Sequence, residues 1–446
     1  MTAVARPGAP TGLHRILGVG FGLAVIIGST IGIGILRTPG LVAGQLGSPA
    51  AILAAWIAGG LYTLVGAVCL TELGTMVPEA GGYYVYARRA FGKTVGFAVG
   101  WTDWLTYCAV LGYISIGLGE FVAVLVPRLA PVAKPIAIAT LVGFVALQWV
   151  GVRVSGRFQE AATAIKFLAF VALVLACLFL APVSAGVGTS AGVTPTFAGA
   201  IVALQSVVIT YGGWQSALYF TEEDRDPHRN LPRAMIGGVL AVLVVYVLVN
   251  VALLAVLPVS DLARSTLPAA DAARIVLGVN GSRAITVLSI VSLAPLLNAI
   301  LMIGTRILFA MGRDRLLPSR AAVVNAGGTP AVAMVVTTAV AVVLVASGTF
   351  QKLVAVASFF LAANYFVCCL ALIVLRRREP EAARPFRAWG YPWSAAIVVI
   401  GAAAFLIGAL AADSSNALAA LVLLAAGFII RASIPGLHAR KSERGS

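Results

Sequence analysis

Two glycine-rich segments interrupt long apolar stretches of this 446-residue chain. The first reads Gly28-Ser29-Thr30-Ile31-Gly32-Ile33-Gly34, and the second reads Tyr211-Gly212-Gly213-Trp214. A helix that unwinds inside a bilayer leaves backbone N–H and C=O groups that only protein, water or a bound solute can satisfy. Paired breaks at corresponding places in two halves of a chain are the best sequence indication of a solute site in a secondary transporter. The two segments therefore predict main-chain hydrogen bonding to a small polar solute.

Glycine has a second use in membrane helices, because it lets two helices approach closely. The run Gly18-Val19-Gly20-Phe21-Gly22 is interpreted in this way, since no strand or later acidic residue frames it as a dinucleotide-binding loop. Spacing alone leaves both uses open for the glycines of the two breaks. Trp214 likewise has two interpretations, as a ring that covers the solute or as ordinary packing in the helix bundle.

Lys166 is a charged residue inside an apolar stretch. A lysine at the centre of a membrane helix costs about 2.5–3.5 kcal/mol on insertion, so it is a functional candidate. Gln159 and Glu160 mark the predicted cytoplasmic entry of this helix, which puts Lys166 about 9–10 Å into the membrane at 1.5 Å per residue. A long side chain nearly reaches water from there, so snorkelling to the interface is the alternative.

Three acidic residues are also predicted to lie within spans. Glu72 is predicted to pair with a loop arginine, and Glu120 to be solvated near the outer end of the third span. Asp103 is interpreted as structural, with a role as proton carrier kept open. The run Glu222-Glu223-Asp224-Arg225-Asp226 is interpreted as a solvated helix end and loop whose salt bridges could serve a gate.

The composition indicates an all-α integral membrane protein. The chain is 60% hydrophobic and only 11% charged, whereas a soluble domain is about a quarter charged. Because a span needs about 20 apolar residues, twelve spans are predicted, over 15–44, 49–73, 94–126, 136–152, 159–182, 197–220, 234–257, 283–311, 329–348, 353–375, 393–411 and 415–432.

Basic residues set the predicted orientation. Most of the 31 Lys and Arg residues fall on one side of the predicted membrane, and by the positive-inside rule this side and both termini are cytoplasmic. The net charge of +15 therefore reflects the membrane topology and does not indicate nucleic-acid binding. The basic residues predicted on the opposite side are Arg37, Arg128, Lys134, Arg264, Arg274, Arg283 and Lys352.

Cysteine and histidine usage argues against catalytic or metal chemistry. The five cysteines all fall within predicted spans and are interpreted as small packing residues, so neither a disulfide framework nor a metal site is predicted. The three histidines lie in loop or terminal segments without a visible nucleophile or cofactor motif. We therefore predict neither an enzyme nor a cofactor. The first dozen residues lack the features of a removable signal peptide.

Seven motifs follow one another between about residue 15 and residue 395. They are IIGSTIGIGILRTPG from Ile26, TELGTMVPEAGGYYVYARRAFG from Thr71, a GF…GW pattern from Gly96, GRFQEAATAIKFLAF from Gly156, YGGWQSALYFTEEDRDPHRNLPRAM from Tyr211, TRILFAMGRDRLLP from Thr305 and RPFRAWGYPW from Arg384. In this order they resemble the amino acid–polyamine–organocation superfamily, and within it the L-type exchangers and bacterial amino acid permeases.

The resemblance implies twelve transmembrane helices. Two inverted repeats of five helices, with helices 1 and 6 broken, are followed by two further helices. The implied organisation is a cytoplasmic tail at 1–14, a first repeat at 15–182, a second repeat at 197–375, helices 11 and 12 at 393–432, and a second cytoplasmic tail at 433–446.

The implied function is sodium-independent secondary transport of L-amino acids by alternating access, as exchanger or proton-coupled symporter. Neutral substrates are expected, because no carboxylate adjoins either break in the sequence to balance a cationic side chain. A sensor, receptor or channel on the same fold, without coupled transport, is the alternative.

The resemblance also favours unwound backbone at the breaks. Free N–H groups at a half-helix N-terminus suit the carboxylate of an amino acid, which we assign to Ile33 and Gly34 with help from Thr30. Carbonyls at the preceding half-helix ends suit its ammonium, near Ile27-Gly28 and Ile209-Thr210. The predicted substrate-binding set is Ile27, Gly28, Thr30, Gly32, Ile33, Gly34, Ile209, Thr210, Gly212 and Trp214.

Lys166 corresponds to the position where sodium-coupled relatives bind a cation. Its ammonium is expected to bridge first-helix carbonyls near residues 21–24 and hydroxyls such as Ser289 or Ser292. A fixed cation there implies sodium independence, with proton coupling or obligatory exchange. Two departures from the family pattern, Ile33 within the first motif and Ile209 where an aromatic gate often stands, put the substrate size in doubt.

Partners and location are inferred from the same comparison. Animal relatives join a glycoprotein heavy chain through a cysteine in the loop between spans 3 and 4, and this chain has no cysteine at 127–135. No disulfide-linked heavy chain is expected, and the partners are a small amino acid and membrane lipid, without nucleic acid. The basic residues are mostly arginine, which suggests a GC-rich bacterial genome and the bacterial inner membrane.

Overall fold

The structure is a computed structural model that describes residues 12–180, 195–347, 350–412 and 414–433. Most of the predicted outer loop at 181–196 and most of both predicted tails lie outside these residues. Sixteen α-helices are described. They are α1 Val19–Thr30, α2 Gly34–Leu46, α3 Pro49–Met76, α4 Tyr83–Phe91, α5 Lys93–Leu125, α6 Ala133–Val150, α7 Val152–Leu180, α8 Phe197–Thr210, α9 Pro227–Val256, α10 Val259–Arg264, α11 Pro268–Leu277, α12 Val279–Arg313, α13 Ala331–Ser347, α14 Phe350–Arg378, α15 Trp393–Ala412 and α16 Ser414–Ser433.

The helices are long and apolar enough for a membrane protein. Eight described segments pass the length and hydropathy requirements for a span, and α1 with α2 passes as one span bent by 48°. Three shorter apolar helices, within α13, α15 and α16, accompany them. These findings confirm the prediction of an all-helical integral membrane protein.

Helix starts follow local sequence signals. Ser48 precedes α3, and its side chain accepts a hydrogen bond from the Ala51 N–H at 3.3 Å. Thr196 caps α8 in the same way through the Gly199 N–H at 3.0 Å. Proline occupies the first position of α3, α9 and α11, where its missing N–H costs no hydrogen bond. These caps fix where the chain enters the second, sixth and seventh predicted spans.

Helix α1 is central to the packing. It contacts α7, α9, α12 and the 3-10 helix Trp214–Phe220, while α5 packs against α4, α12, α13 and α14. The half-helix that ends at the first break is therefore enclosed by helices from both predicted repeats. Any group it presents inward meets protein rather than lipid.

Two local features differ from the expectation. The segment Tyr83–Phe91 forms α4, a short helix that was not predicted. The near-helical spacing of Asp261, Arg264, Asp271 and Arg274 predicts one surface helix over 260–277. The segment instead forms α10 and α11, because the chain leaves the helical conformation at Ser265 and Pro268 starts a new helix. Helix α11 also buries Ala269 and Ala273, so it is part of the packed structure rather than a purely solvated helix.

Buried ion pairs join helices at one end of the molecule. Glu72 is fully buried and pairs with Arg376 and with Arg384, the latter at 3.2 Å, which confirms the predicted arginine partner. Glu223 receives Arg306 through two hydrogen bonds of 2.8 and 2.9 Å. The sequence analysis missed Arg306, although it is a basic residue within the predicted span 283–311.

The same end ties the start of α1 to the chain beyond the second break. The Leu17 N–H donates to the Glu223 carbonyl at 3.0 Å, and the Arg225 N–H donates to the Leu17 carbonyl at 3.0 Å. Arg313 pairs with Glu222 at 2.7 Å. The predicted salt bridges of the 222–226 run are therefore present, but the run is not the solvated segment that was predicted, because Glu223 is fully buried against Arg306.

Replacing Glu223 with glutamine should destabilise the protein strongly. Removing one partner of a buried pair leaves an uncompensated charge and costs about 3–5 kcal/mol. Thermal unfolding of the purified protein in detergent measures the effect. The double variant E223M/R306M should recover most of the loss, and Glu79→Gln, at the surface, should change stability little. A Glu223→Gln variant as stable as the parent would show that the pair contributes nothing.

Candidate functional site

The first break separates α1 from α2 by three residues. The Ile31 N–H still donates to the Ile27 carbonyl at 3.0 Å, and the chain then leaves the helix until Gly34 begins α2. Within the described part of the chain, the N–H groups of Gly32 and Ile33 donate to no acceptor. Gly34 adds the first N–H group of α2, which has no intrahelical partner. Three consecutive donors are thus available at a half-helix N-terminus.

The second break lies between α8 and the 3-10 helix Trp214–Phe220. The Gly212 N–H donates to the Ile209 carbonyl at 2.9 Å, and the Gly213 N–H donates to the Gln215 side chain at 3.2 Å. Gly213 has a φ of +117°, a conformation that glycine adopts without a steric penalty. The helix therefore unwinds here because Gly213 can adopt a positive φ, which ends the helical conformation.

The two breaks contact each other directly. The Ser29 hydroxyl donates to the Gly213 carbonyl at 3.1 Å and lies 2.7 Å from the Ser216 hydroxyl. A Cβ atom on Gly213 would lie only 2.5 Å from the Ser29 carbonyl oxygen. Gly213 is therefore required both for its dihedral angles and for the approach of the two main chains.

Tyr246 of α9 connects both half-helix ends. Its hydroxyl lies 2.8 Å from the Thr30 carbonyl and 3.0 Å from the Thr210 carbonyl. The side chain is fully buried, and its ring packs at 5.5 Å from Trp56 and 4.9 Å from Tyr211. Sequence reasoning missed Tyr246. A tyrosine well inside an apolar span needs a hydrogen-bond partner, and that requirement was the available signal.

The carbonyls assigned to a substrate ammonium already have partners. The Ile27 and Ile209 carbonyls accept from backbone N–H groups, the Gly28 carbonyl accepts from Lys166, and the Thr210 carbonyl accepts from Tyr246. Each carbonyl oxygen has two lone pairs and can accept a second donor. The structure thus brings the predicted carbonyl ends together and shows them satisfied by protein.

Lys166 is fully buried in α7 and bridges α1 and α12. Its ammonium donates to the Gly28 carbonyl at 2.8 Å and to the Ser292 carbonyl at 3.0 Å. The buried bridge replaces the snorkelling alternative. It also corrects the predicted partner atoms, because the α1 carbonyl is one turn beyond residues 21–24 and the α12 group is a carbonyl. The Ser289 hydroxyl donates to Ile285 within its own helix.

A row of polar side chains on α7 explains why Lys166 reaches the Gly28 carbonyl of α1. Gln159 and Thr163 donate to the Ala24 carbonyl at 3.3 and 3.0 Å, one turn before the Gly28 carbonyl that Lys166 reaches. A Cβ atom on Gly28 would lie 2.4 Å from the Gln159 amide and 2.5 Å from the Thr163 hydroxyl. Gly28 thus permits the close approach of α7, and the row places Lys166 at the end of α1.

Trp214 and Ile209 both face away from the first break. The Trp214 ring stacks on Tyr365 of α14 at 5.6 Å and lies against Gly66 of α3, which is packing within the bundle. Ile209 is 45% exposed. With Gly212 it lines a cavity of about 810 Å³ bounded by α3, α8, α14 and α15. The bulk of Ile209 therefore lies beside the second break, on the side of this cavity.

A carboxylate lies close to the second break, contrary to the sequence-based expectation. Asp103 of α5 is fully buried, and its Oδ2 accepts a hydrogen bond from the Tyr219 hydroxyl at 2.8 Å. Tyr219 belongs to the 3-10 helix that follows the break. The sequence separation of more than one hundred residues concealed this proximity, because α5 and the second break meet only through tertiary packing.

Residues 22–430 match the family model described as amino acid permease. This chain belongs to the amino acid permease family. The match confirms the resemblance to the amino acid–polyamine–organocation superfamily, and it covers both breaks, Lys166 and Asp103.

Several characterised relatives are similar over most of the permease. The serine/threonine exchanger SteT of Bacillus subtilis is 27% identical over 91% of this chain and 93% of its own length. The mouse b(0,+)-type amino acid transporter 1 is 29% identical over 89% of this chain and 82% of its own. The human large neutral amino acids transporter small subunit 2 is 29% identical over 85% and 73%.

Replacing Gly213 with alanine should separate the two breaks. The added methyl group meets the Ser29 main chain, and a non-glycine residue at this φ costs about 1–3 kcal/mol. We expect a lower unfolding temperature in detergent. The matched control is Gly143→Ala, where an added Cβ meets no atom within 4 Å and helix propensity should slightly favour the variant. A Gly213→Ala protein as stable as this control would contradict the contact.

Proposed function

We propose that this permease is a sodium-independent secondary transporter of neutral L-amino acids that works by alternating access, by exchange or with proton coupling. The observation that carries the proposal is the pair of unwound segments in contact, one of which presents free N–H groups. Neutral substrates agree with the names of two relatives, a serine/threonine exchanger and a large neutral amino acids transporter subunit.

The proposed layout has twelve spans. The eight long segments, the bent pair and the three shorter helices supply twelve candidates. We assign the first inverted repeat to 15–182, the second to 197–375, the last two helices to 393–432, and the tails to 1–14 and 433–446. Both termini are proposed to be cytoplasmic, in a bacterial inner membrane, since the ion-paired end then coincides with the basic side.

In the proposed site, the substrate carboxylate binds the N–H groups of Ile33 and Gly34, with Gly32 and Thr30 beside them. The N–H groups of Gly32, Ile33 and Gly34 have no acceptor among the described residues, and the N-terminus of α2 favours negative charge. The ammonium shares the carbonyls near residues 27–28 and 209–210. Because those carbonyls already have partners, the ammonium either uses their second lone pairs or displaces the Tyr246 hydroxyl.

Lys166 supports sodium independence. Its ammonium already occupies the gap between the Gly28 and Ser292 carbonyls, and a second cation in the same place would meet a buried like charge at short range. We propose that the Lys166 ammonium permanently takes the place of a bound metal ion. The Ser292 carbonyl accepts its hydrogen bond, and Ser289 lies one turn away.

No disulfide-linked heavy chain is proposed for this permease. The segment between α5 and α6 contains the 3-10 helix Pro127–Val132 and lacks cysteine. All five cysteines are free and buried in helices.

A sensor, receptor or channel on the same fold is the competing assignment. Counterflow of labelled L-threonine distinguishes them, since a sensor binds without exchange and a channel shows no stimulation from the opposite side.

Uptake by proteoliposomes should not depend on sodium. Replacing external sodium with choline should leave the initial rate of L-threonine or L-leucine uptake unchanged. Lys166→Met should lower that rate at least about tenfold, the equivalent of about 1.4 kcal/mol, because two buried carbonyls lose their donor. Lys134→Met, at an exposed lysine, is the control. Uptake abolished by choline would overturn the assignment of Lys166.

Gly34→Val should abolish amino acid binding by the folded protein. The side chain covers the donor N–H group, and its Cβ lies 2.9 Å from the Thr210 methyl group. Gly32→Ala fits with its nearest neighbour at 3.5 Å and should weaken binding without loss of fold. Thermal-shift titration with L-threonine and L-leucine measures both, beside Gly143→Val. Unchanged affinity in both variants would exclude the carboxylate assignment.

A further inference from the structure

Three carboxylates are fully buried in the described part of the chain, and one of them has no cationic partner. Glu72 pairs with Arg376 and Arg384, and Glu223 pairs with Arg306. Asp103 is equally buried, yet no basic side chain of the described residues lies within 4 Å of it. An unpaired buried carboxylate is far less stable than the neutral acid.

The immediate surroundings of Asp103 are neutral. Tyr219 donates to Oδ2. The side-chain amide of Asn364, whose oxygen accepts from Thr102 at 3.1 Å, also faces the carboxyl, although Oδ1 has no hydrogen bond of standard geometry among the described residues. The titratable groups facing it are Tyr83 of α4, Tyr107 of α5, Tyr219 of the 3-10 helix, and Tyr365 with Cys368 of α14. Phenols and thiols are neutral near pH 7. None of these groups compensates a negative charge.

The basic residues on the elements packed against α5 are engaged elsewhere or exposed. Arg88 and Arg89 of α4, Arg306 and Arg313 of α12, and Arg376 of α14 all pair with other carboxylates. Arg431 of α16 lies over the Phe97 ring at 4.9 Å. The remaining described ones are exposed: Arg128, Lys134, Arg283, Arg377 and Arg378.

We propose that Asp103 is the proton-binding site through which this permease couples amino acid transport to a proton gradient. The inference rests on the proposed transport function and chooses proton coupling over simple exchange. In the closed arrangement the carboxyl holds a proton. When the ion-paired end opens and water reaches it, the proton dissociates to the cytoplasm.

A hydrogen-bond network links this carboxyl to the second break. The Gln215 side chain accepts from the Gly213 N–H at 3.2 Å and from the Tyr365 hydroxyl at 3.0 Å, and it donates to the Tyr107 hydroxyl at 3.4 Å. The Tyr107 ring meets the Tyr219 ring edge-on at 5.4 Å. A rearrangement at Gly213 therefore reaches the hydroxyl that holds Asp103.

The Tyr219–Asp103 hydrogen bond also joins two parts of the proposed mechanism. Asp103 is on the third predicted span, and Tyr219 follows the break of the sixth, so this bond joins two segments that the proposed cycle moves relative to each other. Movement between these parts breaks the bond and admits water. Opening and proton release thus become one event.

The test measures proton-driven accumulation in proteoliposomes with the membrane potential clamped. An inward gradient of about one pH unit can drive up to about tenfold accumulation of a substrate that moves with one proton. The wild-type protein should accumulate labelled L-threonine or L-leucine several-fold under this gradient. Asp103→Asn should equilibrate the amino acid without responding to it. Glu120→Gln, at an exposed carboxylate of the same helix, should respond as the wild type does.

A second variant keeps the carboxyl and changes only its hydrogen bond. Tyr219 stabilises the ionised form, so Tyr219→Phe should let proton-driven uptake persist to higher external pH. This readout separates coupling from folding, because the Phe variant retains the ring packing. An unchanged pH dependence in Tyr219→Phe would count against the proposal.

The outcomes separate the two hypotheses. A wild-type protein that neither binds nor exchanges any amino acid refutes the proposed function itself. Exchange without a response to the gradient refutes proton coupling alone. A gradient response that survives in Asp103→Asn assigns the proton to another group and overturns the role of Asp103. An Asp103→Asn protein that folds and binds, but no longer responds, supports it.

Discussion

Main-chain groups that have lost their helical partners are the constraint on which this structure depends. At both breaks, side chains from other helices reach them: the single hydroxyl proton of Tyr246 is shared between two carbonyl ends, and Lys166 donates to a third. In hydrocarbon each unsatisfied group would cost several kcal/mol. The bundle therefore arranges α7, α9 and α12 around α1 so that donors reach these carbonyls, and the register of Gln159, Thr163 and Lys166 follows from that requirement.

The backbone carbonyls and the backbone N–H groups at the breaks differ in whether they have hydrogen-bond partners. The carbonyl ends are occupied, whereas the N–H groups of Gly32 and Ile33 are free among the described residues. In the proposed site an anionic group binds without displacing protein, while a cationic group must compete with or share existing donors. The carboxylate end of a zwitterion is thus the end that enters a prepared site. Recognition of the ammonium uses either the second lone pairs of these carbonyls or displacement of the Tyr246 hydroxyl.

Hydropathy and glycine placement were enough to predict the long apolar helices and the positions of both breaks, because these depend on local composition. Lys166 was identifiable for the same reason, as a charge in an apolar stretch. Its partner atoms were wrong by one turn, since the register between α7 and α1 is set by how closely Gly28 lets them pack. Tyr246, Arg306 and the environment of Asp103 were missed because each depends on residues far away in sequence. The direction in which the Ile209 side chain points likewise depends on the rotation of α8 about its axis, which composition does not determine.

The fully buried Arg306–Glu223 pair has a consequence for the energy of the cycle. Desolvation of two ions nearly offsets their attraction in a dry interior, so exchanging each partner for water as that end opens changes the free energy little. Apolar side chains in the same place would resist hydration and would stabilise the closed form. A charged pair instead keeps the closed and open forms close in free energy, as the proposed alternating-access cycle requires.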